Sequence, residues 1–166
     1  MPRLYPSLSR QEISLIHEEK AVAVREIIAA DFPERDGASE LITALYRAGA
    51  VIAIGSSAPR ENVQVLLDNL PASRYISATT SGSELKYGKP DPEVFVKTIN
   101  KIGLPPEKCI VIEDAPAGVT AAKAAGCGVI AVTGTLSREQ LGDADLIVDS
   151  LRELTPEKCR ELIGLD

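Results

Sequence analysis

VIEDAPAGVTAAKAAG, residues 111–126, decides how the rest of the chain is read. A short apolar run ends in two adjacent acids, Glu113 and Asp114, and Pro116 then opens a train of small residues that Gly126 closes. Proline suits the first position of a helix and glycine the position just past its end. The stretch therefore predicts a buried strand, a tight turn and a helix. Either acid alone could cap that helix, where its N-terminus favours negative charge. Two adjacent acids at a buried strand end also repel each other, and a hard cation such as Mg²⁺, which takes oxygen ligands, would relieve the repulsion.

Outward from this block the alternation repeats. Residues 51–54, 75–79, 109–113, 127–132 and 146–148 read as short apolar strands. Residues 39–48, 59–70, 91–102 and 116–125 read as helices, with Asp91 capping the third and Pro92 at its first position. Residues 137–141 read as a short helix, and Thr155-Pro156 opens a last one. Residues 80–90 form a polar loop. Upstream, Ser9-Arg10-Gln11-Glu12 has the capping-box form. Ile13, Ile16, Val24 and Ile27 then recur at helical spacing. A loop, residues 31–38, carries Pro33 and Gly37. Strands alternating with helices through short loops mean parallel pairing. In such sheets ligands bind beyond the carboxyl ends of the strands.

Composition agrees. The chain has 166 residues, enough to bury a core, no Trp and few aromatics. Val, Ile, Leu and Ala dominate, as in parallel sheets covered by helices. The net charge of −6 without a basic run excludes nucleic acid as a partner. No apolar run is long enough to span a bilayer, and the chain is expected to be cytoplasmic. Its three cysteines, Cys109, Cys127 and Cys159, lack CxxC spacing and read as buried free thiols.

The strand ends carry the chemistry. Ser56 and Ser57 follow VIAIG, Lys89 sits in YGKPDP, and Glu113 and Asp114 end the next strand. Singly, a serine here could cap a helix and a lysine could be solvated. The residue before proline is restricted to extended geometry, so the Lys89 backbone has a set direction. Together, a hydroxyl and an ammonium suit a phosphate, and a carboxylate pair suits its counter-cation. Phosphoryl transfer needs such a frame because its catalysis is mostly positioning and charge stabilisation.

VIAIGSSAPRENV, YGKPDPEVF and VIEDAPAGVTAAKAAG, in this order and spacing, resemble the haloacid dehalogenase-like hydrolases. Within that family they resemble the branch of β-phosphoglucomutase and phosphoglycolate-phosphatase-like enzymes. The resemblance implies a three-layer, Rossmann-like α/β fold with a parallel sheet. Residues 1–36 would be a remnant of the helical cap domain and residues 37–166 the core. It implies a Mg²⁺-dependent phosphatase or phosphomutase acting on a small phosphorylated metabolite, with sugar phosphates first among them. By position, Ser56 matches the phosphate-binding hydroxyl, with Ser57 beside it. Lys89 matches the lysine that bridges nucleophile and phosphate, and Glu113 and Asp114 match the acids that help hold Mg²⁺. Lys20 matches a cap lysine that can face substrate, against a plain role as a snorkelling helix lysine.

One family motif is missing. The nucleophile strand, ending in Asp-x-Asp-Gly-Thr or similar, has no counterpart. IIAADFPERDG, residues 27–37, is a decoy, because four residues rather than one separate Asp31 from Asp36. In the family that strand lies between the Ser56 strand and the Glu113 strand. Those two are thus expected to pair directly, leave a gap, or accept a strand from another chain. The expected reading is a truncated member, inactive alone. A complementing N-terminal fragment, self-association, and a non-catalytic phosphate- and Mg²⁺-binding pseudoenzyme are the alternatives. A receiver-like protein is disfavoured, because receivers place the lysine after the phospho-acceptor acid and Lys89 precedes Asp114.

Overall fold

The computed structural model describes residues 8–134 and 136–165. Its elements run α1 (Arg10–Ala30), α2 (Ala38–Arg47), β1 (Ile52–Gly55), α3 (Arg60–Asn69), β2 (Ile76–Thr80), α4 (Glu93–Ile102), β3 (Ile110–Glu113), α5 (Pro116–Ala124), β4 (Gly128–Val132), β5 (Leu146–Val148) and α6 (Pro156–Leu162). Each expected strand and principal helix is present, with ends displaced by a residue or two. Residues 137–141 hold only a 3₁₀ turn, Glu139–Leu141.

Local chemistry sets the boundaries. Ser9 and Glu12 form the expected capping box, with the Glu12 amide donating to Ser9 Oγ at 3.2 Å and the Ser9 amide to Glu12 Oε2 at 2.7 Å. Asp91 Oδ1 accepts from the Glu93 amide at 2.9 Å, satisfying an orphan donor of α4. Thr155 Oγ1 does the same for the Lys158 amide at 3.3 Å. Gly126 ends the α5 segment at φ +84°, a left-handed conformation that other residues adopt only with strain.

All strands pair in parallel, but in two sheets. One is β1–β2, and the other is β3–β4–β5. β1 and β3 do not pair directly. Among the described residues no strand lies between them, so the outcome is a gap. Its effect shows in exposure. β4, paired on both sides, is buried through Gly128-Val129-Ile130-Ala131-Val132, with only Gly128 half-buried. Every residue of β1 is half-buried, and Ile112 of β3 is 38% exposed.

β4 divides the core by its period of two. Val129 and Ala131 pack with Val94, Phe95 and Ile99 of α4 and with Val119, Ala121 and Ala122 of α5. Ile130 and Val132 pack on the other face with Leu41, Val148, Leu151, Leu154 and Cys159. This makes three layers. Burying each large side chain contributes about 1.5–3 kcal/mol. Two helices tie the half-sheets together. α4 contacts β1, β2 and α5, while α2 contacts β1 and the turn Leu151–Glu153. An exposed fork from Arg152 to Asp36, at 2.6 and 2.8 Å, fastens the start of α2 to that turn.

α1 rests on α3, where Arg25 Nη1 donates to Asn62 Oδ1 at 2.8 Å and Asn62 Nδ2 to the Ala21 carbonyl at 3.1 Å. Its periodic apolar residues do not form a buried stripe, for Ile16 and Ile27 are exposed. No helix among the described residues is long and apolar enough to cross a membrane. The three thiols are free. Cys127 and Cys159 are buried, whereas Cys109 is only half-buried and departs from the expectation. Burial pushes the Cys127 thiol up to about 11.

Paired carboxylates give the fold an acid limit. Lys101 Nζ donates to Glu84 at 2.6 Å and, with the Ser81 amide, holds its carboxyl at about 2. Lys123 lowers Asp145, whose second oxygen accepts from the Val129 amide at 2.8 Å. Such groups stabilise the fold fully above their ordinary unfolded range near 4 and lose that contribution as pH falls through the lowered value. The melting temperature should therefore fall by several degrees between pH 5 and pH 2. A scanning-calorimetry series across that range checks this, and a flat profile would contradict it.

Candidate active site

The carboxyl ends of β1 and β3 open into a cleft of about 320 Å³. Ser56, Ser57, Lys89, Glu113 and Asp114 all line it, with Arg35 added from the α1–α2 connection. Groups far apart in sequence are thus brought together, where the strand-end rule places ligands. A larger groove, about 550 Å³, runs beside β2 with Asp68 and Arg74, and none of the candidate groups lines it.

Ser56 does not cap α3. Its amide donates to the Thr80 carbonyl at 2.9 Å, fixing the loop to the end of β2. Its Oγ accepts from the Ala58 amide at 3.1 Å. With a lone pair so used, the O–H proton is left to donate to an incoming acceptor. The first amide of α3, Arg60, instead donates to Ser83 Oγ at 3.1 Å. Gly82 makes this junction feasible. Its amide donates to the Ala58 carbonyl at 2.7 Å, and a Cβ there would overlap the Ser57 carbonyl.

Lys89 is not a solvated loop lysine. Its ammonium is paired with Glu113 Oε1 and lies 4.8 Å from the centre of the Phe95 ring. The side chains of Lys89 and Glu113 are only 19% and 11% exposed. The Lys89–Pro90 peptide is cis. An ammonium has three donors, so one contact to Glu113 leaves others for a phosphate.

Neither acid of the opening block caps α5, whose N-cap is Ala115 with no side-chain bond. The two divide. Glu113 turns inward to Lys89 and covers Gly118, where a Cβ would collide with its carboxylate. The glycine in this block is thus required by the acid five residues before it. Asp114 faces the opening, 54% exposed, with Arg35 Nη1 at 3.5 Å from its Oδ2.

The donor set can be tested against Mg²⁺. Asp114 offers accessible hard oxygens, while Glu113 is committed to a lysine. Among the described residues no cluster of three or more metal-ligating side chains occurs. A cation here would take its remaining oxygens from water and phosphate, the usual habit of Mg²⁺. On those terms the residues fit.

Lys20 is exposed on α1 and does not line the cleft. Arg35 was not singled out by the sequence reading, because it lies inside the decoy stretch. Of the decoy acids, Asp36 is held by Arg152, and Asp31 follows the end of α1 in extended geometry. Neither lines the cleft.

Residues 6–126 match the haloacid dehalogenase-like hydrolase family. The chain belongs to that family. It is 36% identical over 125 residues to hexitol phosphatase A of Escherichia coli (strain K12), covering 74% of this chain and 56% of that protein. It is 34% identical over 119 residues to validoxylamine A 7'-phosphate phosphatase of Streptomyces hygroscopicus subsp. limoneus, covering 72% and 56%. The structure of β-phosphoglucomutase from Clostridium difficile superposes with a TM-score of 0.79 at 27% identity, covering 95% of this chain and 70% of that one. The chain lies in the branch of β-phosphoglucomutase and phosphoglycolate-phosphatase-like enzymes, and its α/β fold is the Rossmann-like fold of that family. It spans about half the length of the curated relatives named here.

Proposed function

We propose that the chain supplies the phosphate cradle and part of the Mg²⁺ site of a phosphatase or phosphomutase acting on small phosphorylated metabolites, sugar phosphates foremost. The observation that carries this reading is the meeting of Ser56, Lys89 and Asp114 at one cleft between β1 and β3. The relatives named hexitol phosphatase and validoxylamine phosphate phosphatase accord with it.

In this reading the Ser56 hydroxyl, with Ser57 beside it, donates to phosphoryl oxygens. Lys89 supplies a positive charge that Glu113 orients. Asp114, and Glu113 behind it, form the acidic side toward Mg²⁺. When bound, Mg²⁺ neutralises charge on the phosphoryl oxygens. Lys20 reaches substrate only if α1 carries it toward the cleft. Residues 1–36 act as the remnant of a cap and residues 37–166 as the core. A cytoplasmic location accords with three free thiols.

The chain alone should show little or no turnover, because among the described residues the only acids lining the cleft are Glu113 and Asp114. The gap offers a remedy. β1 and β3 present two facing, half-exposed strand edges, and unpaired edges recruit strands. An extended apolar segment from a complementing fragment or a second copy, ending in an acid, would satisfy both edges and deliver a nucleophile. A phosphate-binding pseudoenzyme is the second reading, favoured by the same lack of a further cleft acid.

Inorganic phosphate with Mg²⁺ should raise the melting temperature. At a hundredfold excess over Kd the gain is about 2.7 kcal/mol, or roughly 5–10 °C for a domain of this size. Ser56→Ala should remove most of it. Absence of any shift in the wild type would sink the cradle. Robust hydrolysis of a sugar-phosphate panel by the chain alone, abolished in Asp114→Asn, would overturn the inactive reading.

A further inference from the structure

Arg35 stands in the cleft without a place in the scheme above. It belongs to the connection between α1 and α2, two residues before the left-handed Gly37. Its guanidinium makes two contacts across the cleft. Nη1 lies 3.5 Å from Asp114 Oδ2, and Nη2 donates to the Thr133 carbonyl at the end of β4. The next residue on that side, Gly134, leaves the space. A Cβ at position 134 would lie 2.8 Å from Arg35 Nη2. The backbone around Arg35 is anchored as well. Its carbonyl accepts from the Ala38 amide at 2.9 Å, and its neighbour Asp36 is gripped by Arg152. The guanidinium is therefore directed at Asp114 by its surroundings.

We propose that Arg35 is a built-in counter-ion for Asp114 that competes with the divalent cation, so that filling the cation site releases the α1–α2 connection. The inference rests on the reading of Asp114 as a Mg²⁺ carboxylate. A guanidinium and a divalent cation cannot share one exposed carboxylate at contact distance without strong repulsion. Whichever binds excludes the other. When the cation binds Asp114, the guanidinium must move away. Its movement gives up the hydrogen bond to Thr133 as well as the ion pair. Both contacts tie the connection that carries α1 to the core. Cation occupancy and the freedom of α1 are then two ends of one equilibrium, and linkage requires each to bias the other.

The size of the effect follows from the geometry. Asp114 and Arg35 are 54% and 40% exposed, so the contact is screened by water and salt. Removing it, together with the like charge facing the cation, should tighten cation binding by roughly three- to tenfold. Salt should shrink the difference.

The test uses the full chain and Mn²⁺ as a paramagnetic probe, with Mg²⁺ as competitor, in wild type, Arg35→Gln, Arg35→Lys and Asp114→Asn. Arg35→Gln keeps a donor for Thr133 but no charge, and it should bind about three- to tenfold more tightly at low salt. Arg35→Lys keeps the charge and should stay near wild type. Hydrogen exchange over residues 31–37 should quicken on adding cation to the wild type and change little in Arg35→Gln. Equal affinity in wild type and Arg35→Gln, with binding lost in Asp114→Asn, would overturn the competition and leave the cation site standing. Affinity unaffected by Asp114→Asn would overturn both.

Discussion

Replacing Lys89 by methionine should lower the free energy of unfolding by about 2–4 kcal/mol. Methionine retains most of the side-chain length and its packing on Phe95. What is lost is the ammonium facing Glu113, a carboxylate with little access to water. Breaking a buried pair from one side costs about 3–5 kcal/mol, because it strands the other charge. The open cleft moderates that figure here. The double change Lys89→Met with Glu113→Gln should therefore recover most of the loss, although it removes both charges. Urea unfolding of the two single variants and the double variant checks this. If the single effects add to within ~0.5 kcal/mol, the two residues do not act as a pair. Phosphate-induced stabilisation should disappear in Lys89→Met and remain absent in the double variant. That separates the folding role of the pair from its role toward a ligand.

The same pair shows what the sequence could and could not tell. Lys89 and Glu113 were both identifiable, one ahead of a proline and the other at a strand end. Their partnership was not, for the acids were read as a couple facing a cation. In the fold the strand period turns Glu113 inward and the turn that follows swings Asp114 out. Nothing in adjacent letters specifies that division. Gly118 held the clue, since a glycine within the first turn of a helix weakens it unless something occupies its missing side chain.

The strands were legible because apolar runs of four or five residues bounded by Gly, Pro and polar letters have few other solutions. The gap between β1 and β3 followed from a motif that was absent, and the split of the sheet realises one of the outcomes that absence allowed. The α1 spacing correctly marked a helix but carried no information about its burial. Helical spacing reports that one face is apolar, not that anything within the described residues covers it. Ile16 and Ile27 are exposed in consequence. Arg35 stayed hidden because its role depends on the end of β4, almost a hundred positions away.

Gly82→Ala should be the most disruptive single methyl in the molecule, lowering stability by about 1–3 kcal/mol, the range for overpacking a tight site. Gly82 does not have a positive φ, so the effect is not one of backbone conformation. It comes from contact with main chain. The added carbon would overlap the Ser57 carbonyl and crowd that of Ala58, and a peptide group cannot rotate aside as a side-chain end can. The Ser57 loop would have to move. That movement breaks the 2.7 Å bond from the Gly82 amide to the Ala58 carbonyl and loosens Ser83 from the Arg60 amide. The Ser56 hydroxyl sits on the same loop, so binding should suffer along with folding. The variant is thus expected to lose phosphate-induced stabilisation even where it remains folded, whereas Gly88→Ala, whose Cβ would meet nothing, should keep both. Thermal melts of the two alanine variants with and without phosphate make the comparison. Equal behaviour would show that the close approach of the two strand-end loops does not position Ser56.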